Sequence, residues 1–448
     1  MRLPRPTGKG IAWLRQLPDR LGTRGLLGTA AVVVVAVVVA VIAIDPFGGG
    51  DNGETRVVTV AVATDNAQQA PVGTLGFPLV ATRNTTRISG PDPTADAAAA
   101  ALATHPPAPN VNPPQAAVLV PDDLWQSGIA ASVLAGPPNR MPVLVSGKSS
   151  VPDATAQALV QLNPSGAVTA GRTAVFSVGG AAVPSGFRAG KLHGDTPAEI
   201  AGSIDELRQR LVKSEPQHIL VVSSDEPGFA MPAAAWAARS SDPVLFTGRN
   251  QVPSATLAAL RRHAAAAVYV LGPESVISKA ALSQIARVSA SVQRVGARGV
   301  AQNSIAFARY TDGTFGWNIN DPGHGMELAN SDRPLDAAAA ASLASSGMWG
   351  PLLVTDTADA LPPDLRSFLL DIKPGYATDP TRAVYNHVWL MGDATAIGGE
   401  VQAEVDELAE LAPVAETAPQ GASPGALGQS GGAESEQTPA PAPQKGKK

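Results

Sequence analysis

Leu119-Val120-Pro121-Asp122-Asp123-Leu124-Trp125-Gln126-Ser127-Gly128-Ile129-Ala130-Ala131-Ser132-Val133-Leu134-Ala135 is the stretch that decides the fold. An apolar strand ends in a short acidic loop, and a helix of small residues begins directly after it. A second strand, Pro142 to Val145, follows and ends at Ser146. The same strand–loop–helix–strand unit recurs at 221–248 and at 328–356. Internal repetition of this kind sets an architecture before any single motif does.

The strands of these units are short, uninterrupted apolar runs. Each unit closes with a helix and a further strand, at 174–180, 267–272 and 387–392. Continuous apolar strands that alternate with helices indicate a parallel sheet covered by helices on both faces. The sequence therefore predicts an α/β fold of three tandem Rossmann- or flavodoxin-like repeats with parallel sheets.

Each repeat opens with a cation at the end of a short strand. These cations are Arg87, Lys191 and Arg294, which are spaced by 104 and then 103 residues. The spacing predicts repeats at 81–186, 187–290 and 291–411. Residues 412–448 lack aromatic side chains and are rich in Ala, Pro, Gln, Gly and Ser, so we expect a disordered tail.

The N-terminus predicts the cellular location. Residues 1–24 hold six cations and one acid, and residues 25–44 are twenty uncharged, mostly aliphatic residues. Such a run is long enough to span a bilayer, and the positive-inside rule then places residues 1–24 in the cytoplasm. We expect a single-pass protein of the cell membrane whose residues 45–80 form an extracytoplasmic stalk with a short strand. A cleaved signal peptide is the alternative, although the apolar run is longer than usual for one.

Charge and composition narrow the partners and the chemistry. The formal net charge of −5 for the whole chain leaves −10 for the part after residue 24, which does not suit a nucleic-acid binder. The chain has no cysteine, which excludes disulfides, thiolate metal sites and cysteine nucleophiles.

These repeats resemble the cell wall-binding type 2 family. Arg87-Ile88-Ser89-Gly90 with Thr94-Ala95 matches the family's opening, and Asp332-Arg333-Pro334-Leu335-Asp336-Ala337-Ala338 is close to its loop. Pro142-Val143-Leu144-Val145, Pro243-Val244-Leu245-Phe246 and Pro351-Leu352-Leu353-Val354 match its proline–aliphatic motif.

The resemblance covers about 81–411 and implies a fold and a ligand. In that family three Rossmann-like repeats pack around a pseudo-threefold axis and hold the protein non-covalently to an anionic cell-wall glycopolymer. Ser127 and Phe229 depart from the pattern, since they stand where the family has the aspartate matched by Asp336.

Candidate ligand-binding residues lie where strands end, because open α/β sheets bind ligands at the carboxyl ends of their strands. Asp123, Asp225 and Asp332 either contact a ligand or complement helix dipoles and cap free amides. The cations Arg87, Lys191 and Arg294 either bind an anion near the threefold axis or pair with acids across repeat interfaces. Three hydroxyl residues, Ser146, Thr247 and Thr355, lie at the ends of strands and are further candidates for ligand contact. Trp125 follows the acid pair Asp122 and Asp123, where it either stacks on a sugar ring or packs in the core.

Catalytic and metal signals are weak. Gly428-Gln429-Ser430-Gly431-Gly432 has the spelling of a nucleophile elbow but lies in the predicted tail. Asp321, His324 and Glu327 share one glycine-rich loop, where solvated side chains are the more common outcome. We therefore predict no enzyme, metal or cofactor, with a carboxylate pair at Asp122 and Asp123 as the one feature that favours catalysis.

These sequence features predict two alternative functions. The first is a non-catalytic envelope protein that binds cell-wall glycopolymer and tethers the membrane to the wall. The alternative is an extracytoplasmic small-ligand-binding or sensor protein with a cleft between repeats.

Overall fold

The structure, a computed structural model, describes residues 79–108, 111–345 and 349–414. The predicted cytoplasmic segment, membrane span and stalk up to residue 78, and the tail after residue 414, lie outside the described residues. At the start of the predicted tail, Ala412–Pro413 pairs with Gly375–Tyr376.

The strands and helices alternate along most of the chain. The strands are β1 (Leu79–Ala81), β2 (Thr85–Ile88), β3 (Ala117–Pro121), β4 (Val143–Ser146), β5 (Val175–Val178), β6 (Ala189–Leu192), β7 (His218–Ser223), β8 (Val244–Thr247), β9 (Ala267–Leu271), β10 (Ser291–Val295), β11 (Gly325–Asn330), β12 (Leu352–Thr355), β13 (Gly375–Tyr376), β14 (His387–Met391) and β15 (Ala412–Pro413). The helices are α1 (Pro93–Thr104), α2 (Trp125–Ala135), α3 (Asp153–Leu162), α4 (Pro197–Val212), α5 (Pro227–Ala230), α6 (Pro232–Ser240), α7 (Ser254–Arg262), α8 (Lys279–Ala286), α9 (Val300–Arg309), α10 (Asp336–Ala344), α11 (Pro363–Asp371) and α12 (Gly399–Ala409).

Three sheets carry the fold, and they share one strand order. The first sheet is β4-β3-β5-β6, the second is β8-β7-β9-β10, and the third is β12-β11-β14-β2 with β1 added at its edge. All pairs in these sheets are parallel except β1 with β2. The prediction of an α/β fold with parallel sheets is confirmed.

The fourth strand of each sheet comes from a different sequence repeat than the other three strands. The opening strand of the second repeat, β6, completes the first sheet, and β10 likewise completes the second sheet. The third sheet is completed by β2, which lies about 300 residues earlier in the chain than its neighbour β14.

The helices that follow the first strand of each unit meet in the core. Helices α2, α6 and α10 pack against one another. They consist mostly of buried alanine and other small residues, so their backbones approach closely. A Cβ on Gly128 of α2 would lie 2.9 Å from Leu335 Cδ2 and 3.0 Å from Ala338 Cβ, so glycine is needed where α2 meets α10.

The insertion between α9 and β11 packs against the second sheet. Phe315 stacks on Tyr269 of β9 with ring centroids 3.7 Å apart and an interplanar angle of 10°. Asp312 accepts a hydrogen bond from the Tyr269 hydroxyl. These two contacts attach the loop that leads into the third sheet to β9 of the second sheet.

Candidate functional site

The three predicted hydroxyl residues each donate a hydrogen bond to a main-chain carbonyl. Ser146, Thr247 and Thr355 are fully buried at the ends of β4, β8 and β12. Ser146 Oγ donates to the Ala182 carbonyl at 2.9 Å, and Thr355 Oγ1 donates to the Thr357 carbonyl at 2.9 Å. Thr247 Oγ1 donates to its neighbour's carbonyl at 3.0 Å. These bonds fix the turns after the strands, and contact with a ligand stays a prediction.

The predicted acids project from the same edge of each sheet. Asp123, Asp225 and Asp332 follow β3, β7 and β11 at equivalent places and are exposed. None of them caps the helix that follows, since the N-cap side chains of α2, α5 and α10 accept no hydrogen bond there. The capping interpretation is therefore not what the geometry shows, and these carboxylates face solvent.

Two of these acids have a polar side chain nearby. Lys148 Nζ lies 2.8 Å from Asp123 Oδ2, with both side chains more than half exposed. Ser224 Oγ donates to Asp225 Oδ1 at 2.7 Å. Exposed pairs such as Lys148 with Asp123 contribute little to stability, so this edge of the first sheet is free to exchange its partners with a ligand.

Trp125 lies at the contact between the first and second sheets. Its ring meets Phe246 of β8 edge-on, with centroids 6.0 Å apart at 84°. Beside it, Gln126 Nε2 donates to the Ser224 carbonyl at 2.9 Å. The loop at 122–126 therefore packs on the second sheet, and only part of the indole remains accessible for a sugar ring.

Arg87 and Arg294 serve their own sheets. Arg87 is 4% exposed, and its Nη1 donates to the carbonyls of Gly392 and Asp393 at 2.9 Å. Burial lowers the pKa of Arg87 to about 10, although the charges of Asp393 and Asp96 oppose this. Arg294 makes the equivalent bonds, donating to the Gly272 and Ile277 carbonyls at 2.7 Å.

These arginines therefore hold the turn after the third strand of their sheet. Neither pairs with an acid across a repeat interface. Lys191 occupies the corresponding place in the first sheet but is exposed, because the chain runs from β5 to β6 without the helix that α8 and α12 provide in the other sheets.

A buried charge cluster at the third sheet was not predicted. Arg333 Nε lies 2.9 Å from Asp336 Oδ2, Nη1 lies 3.7 Å from Asp393 Oδ1, and Nη2 binds Asp96. Asp96 and Asp336 are fully buried. Burial raises the pKa of both carboxyls, that of Asp336 to about 6, while Arg333 opposes the rise.

The first and second sheets have other residues at the position of Asp96. Asp96 is the fourth residue after the N-cap of α1, and Ile200 and Asn303 have that place in α4 and α9. A Cβ on Gly179 would lie 3.3 Å from Ile200 Cδ1 and 3.5 Å from Leu124 Cδ2. Apolar contact therefore replaces the ion pair at the first sheet, since Leu124 stands where the third sheet has Arg333.

The three residues weighed as metal ligands do not meet. His324 Nε2 lies 3.1 Å from Asp321 Oδ1 at the surface. Glu327 is fully buried in β11, in the register place that Val118 has in β3, and burial raises its pKa well above the usual range. Within residues 79–108, 111–345 and 349–414, no cluster of acids and histidines is arranged to hold a metal ion.

Comparison with known proteins agrees with the resemblance seen in the sequence. Residues 191–282 match the family described as Cell wall binding domain 2 (CWB2). Two solved structures are similar over 73% of this chain: Cwp6 from Clostridium difficile, with 16% identity and a TM-score of 0.58, and Cwp8 from Clostridium difficile, with 18% identity and a TM-score of 0.56. These findings support a cell wall-binding type 2 family.

The extent of these matches is limited. The similar region covers 48% of the Cwp6 chain and 52% of the Cwp8 chain, so this chain spans about half the length of either. At these identities the likeness concerns the fold. No curated protein matches the chain.

The predicted location in the cell membrane is corrected. No helix in the part of the chain that the structure describes is both long and apolar enough to cross a membrane. The span predicted at 25–44 lies outside the described residues. The family match, at 191–282, is to a cell-wall-binding domain.

Proposed function

We propose that this chain is a non-catalytic cell-surface protein that binds a cell-wall glycopolymer. The observation that carries the proposal is the match of residues 191–282 to Cell wall binding domain 2 (CWB2). The fold shared with Cwp6 and Cwp8 supports it over a larger part of the chain.

The architecture proposed is three Rossmann-like units around a pseudo-threefold axis. In local numbering each sheet has the strand order 2-1-3-4, which is the beginning of the flavodoxin-like order. The mutual packing of α2, α6 and α10 supports an axis that passes between these helices.

The surface proposed to bind the polymer is the carboxyl edge of the sheets. Ligands of open α/β sheets bind at this edge, and Asp123, Asp225 and Asp332 are the exposed acids there. Carboxylates accept hydrogen bonds from sugar hydroxyls, and Lys148 beside Asp123 supplies a donor for an anionic substituent. The proposal does not require Arg87 or Arg294 to touch the ligand, because their donors are bound to main-chain carbonyls.

Sedimentation of the full chain with purified cell wall tests this function. We expect the wild-type protein to sediment with the wall at physiological salt. A variant with Asp123→Ala, Asp225→Ala and Asp332→Ala should remain largely in the supernatant. The matched control is Glu206→Ala, Asp371→Ala and Glu407→Ala, which removes three exposed acids from the later turns of α4, α11 and α12, away from the strand ends.

Two results would contradict the proposal. Absence of sedimentation of the wild-type protein would refute wall binding itself. Equal sedimentation of both triple variants would leave wall binding standing but place it away from the carboxyl edge of the sheets.

A further inference from the structure

One aromatic position recurs in all three sheets. Phe176, Tyr269 and Trp389 occupy the same register place in β5, β9 and β14, since each pairs with the equivalent residue of the neighbouring strands. Phe176 shares a groove with Leu207 of α4, and Tyr269 stacks on the ring that contacts Phe307 of α9.

In the second and third sheets another aromatic ring covers this position. Phe315 stacks on Tyr269 at 3.7 Å and also lies 5.6 Å from Phe307 of α9, so it fills the space between strand and helix. Trp349 meets Trp389 edge-on, with centroids 5.6 Å apart at 72°.

In the first sheet the same position has no aromatic cover, and Phe176 lines a groove although only 4% of it is exposed. Among the described residues no aromatic ring contacts Phe176, and the chain has no insertion there. The residue opposite Phe176 in β6 is Gly190, where the other sheets have Gln293 and Thr86. A groove of about 260 Å³ results.

The groove has an apolar base and a polar rim. Its apolar lining includes Phe176, Leu192 and Leu207, and its polar lining includes the buried Thr173 and the exposed Arg210. A volume below the ~300–1,000 Å³ of sites for drug-sized ligands suits a single small ring.

A cation of α4 lies at this groove although the chain as a whole is acidic. Arg210 lines it, whereas Lys191 of β6 lines it from a position whose side chain alternates to the other face of the strand from Gly190. Arg188 lies close by, because its Nη2 would be 3.8 Å from a Cβ on Gly171. Within the described part of the chain, none of these three cations forms an ion pair.

We propose that this groove binds one acidic pyranose residue, such as a uronic acid. The sugar's C–H face packs on the apolar base, in the space that an aromatic ring of the protein fills in the second sheet. Its carboxylate lies against the guanidinium of Arg210, and Thr173 accepts a hydrogen bond from a ring hydroxyl. The inference deepens the proposed function, on which it rests for the source of the sugar, and it makes the first sheet the unit that recognises negative charge.

Saturation-transfer NMR on the full chain tests the groove with glucuronate and glucose as probes and inorganic phosphate as a competitor. We expect glucuronate to bind more tightly than glucose, and phosphate to compete poorly because it lacks the apolar face. Arg210→Gln should weaken glucuronate about tenfold, as expected for a lost bond to a charged group. Arg261→Gln, which removes an exposed arginine of α7, is the matched control and should leave binding unchanged.

A second variant blocks the space instead of removing charge. A Cβ at position 190 would lie 3.2 Å from both Phe176 Cδ1 and Thr173 Cγ2, so Gly190→Thr should abolish glucuronate binding. Threonine already has this place in β2, as Thr86, and it suits a strand.

The outcomes separate this proposal from wall binding. No saturation transfer to glucuronate, equal binding of phosphate, or binding unchanged by both Arg210→Gln and Gly190→Thr would overturn the groove as a site. If the wild-type chain sediments with the wall but does not bind glucuronate, the groove proposal alone fails. If it binds glucuronate in the groove but does not sediment, the wall function alone fails.

Discussion

Replacement of Asp336 by asparagine tests whether the buried cluster at the third sheet holds one carboxylate too many. Arg333 is the cation that pairs directly with two fully buried acids, Asp96 and Asp336. Burial disfavours their charged forms, and the charge of Arg333 compensates only part of that cost. An asparagine at 336 still accepts a hydrogen bond from Arg333 and leaves one acid for one cation.

The sign follows from the raised pKa. The folded state holds a proton on this pair at a pH where the unfolded chain has lost it, so stability is greatest below the ordinary pKa of 3.8 and falls as pH rises to about 6. At ~1.4 kcal/mol per pKa unit, ionisation of Asp336 costs the folded state about 3 kcal/mol, of which about 2 kcal/mol accrues between about pH 4.5 and pH 7.5. Asp336→Asn removes that cost.

Urea unfolding followed by tryptophan fluorescence at these two pH values measures the effect. The free energy of unfolding of Asp336→Asn, relative to wild type, should be about 2 kcal/mol more favourable at pH 7.5 than at pH 4.5. Asp332→Asn, an exposed acid of the same loop, should show no such difference. A difference that does not change with pH, or a variant less stable than wild type at pH 7.5, would refute the reasoning.

Two further substitutions probe other buried polar groups. Burial lowers the pKa of His263, but hydrogen bonds and charge from Asp205 and Glu215 outweigh it, so the net shift of the pKa is upward. The stabilisation from charged His263 is therefore present below about pH 6.5 and is lost as pH rises. We expect His263→Gln to lower the free energy of unfolding more at pH 6 than at pH 9. Arg87→Ala leaves several buried carbonyls without a donor and should cost about 2–4 kcal/mol, with faster amide hydrogen exchange in β14 and α12.

Each of these has an internal check. A destabilisation by His263→Gln that is the same at both pH values would contradict a raised pKa. Arg294→Ala should speed exchange in β9 and α8 while leaving β14 slow; faster exchange in β14 with this variant would contradict the assignment of each arginine to its own sheet.

The parallel sheets could be predicted because their signal is local. Runs such as Pro142–Val145 are short and apolar throughout, which favours a strand covered on both faces. The predicted strand became β4 with every residue buried. The acids follow the strand ends, since their position depends only on where a strand stops, and their contact with a ligand stays a prediction.

The roles of the charged residues could not be predicted, because their partners are distant in the sequence. Arg87 bonds to carbonyls about 300 residues away, and Asp96 meets Arg333, which lies 237 residues later in the chain. The sequence groups Glu327 with Asp321 and His324 on one glycine-rich loop, whereas the structure buries it in β11 at a place where β3 has a valine. A single sequence carries no signal for such long-range pairings.

The offset between sequence repeats and sheets explains why these long-range bonds exist. The opening strand of each repeat is the fourth strand of the sheet before it, so the third sheet must recruit β2 from the beginning of the described chain. Arg87 and Asp96 lie on β2 and α1, and both bind groups that follow β11 or β14 in the same sheet. Their buried charges therefore sit where the two ends of the described chain meet. A fragment cut at the repeat boundary after residue 290 would carry Arg333 and Asp336 without Asp96, and would leave the third sheet with an unpaired edge at β14.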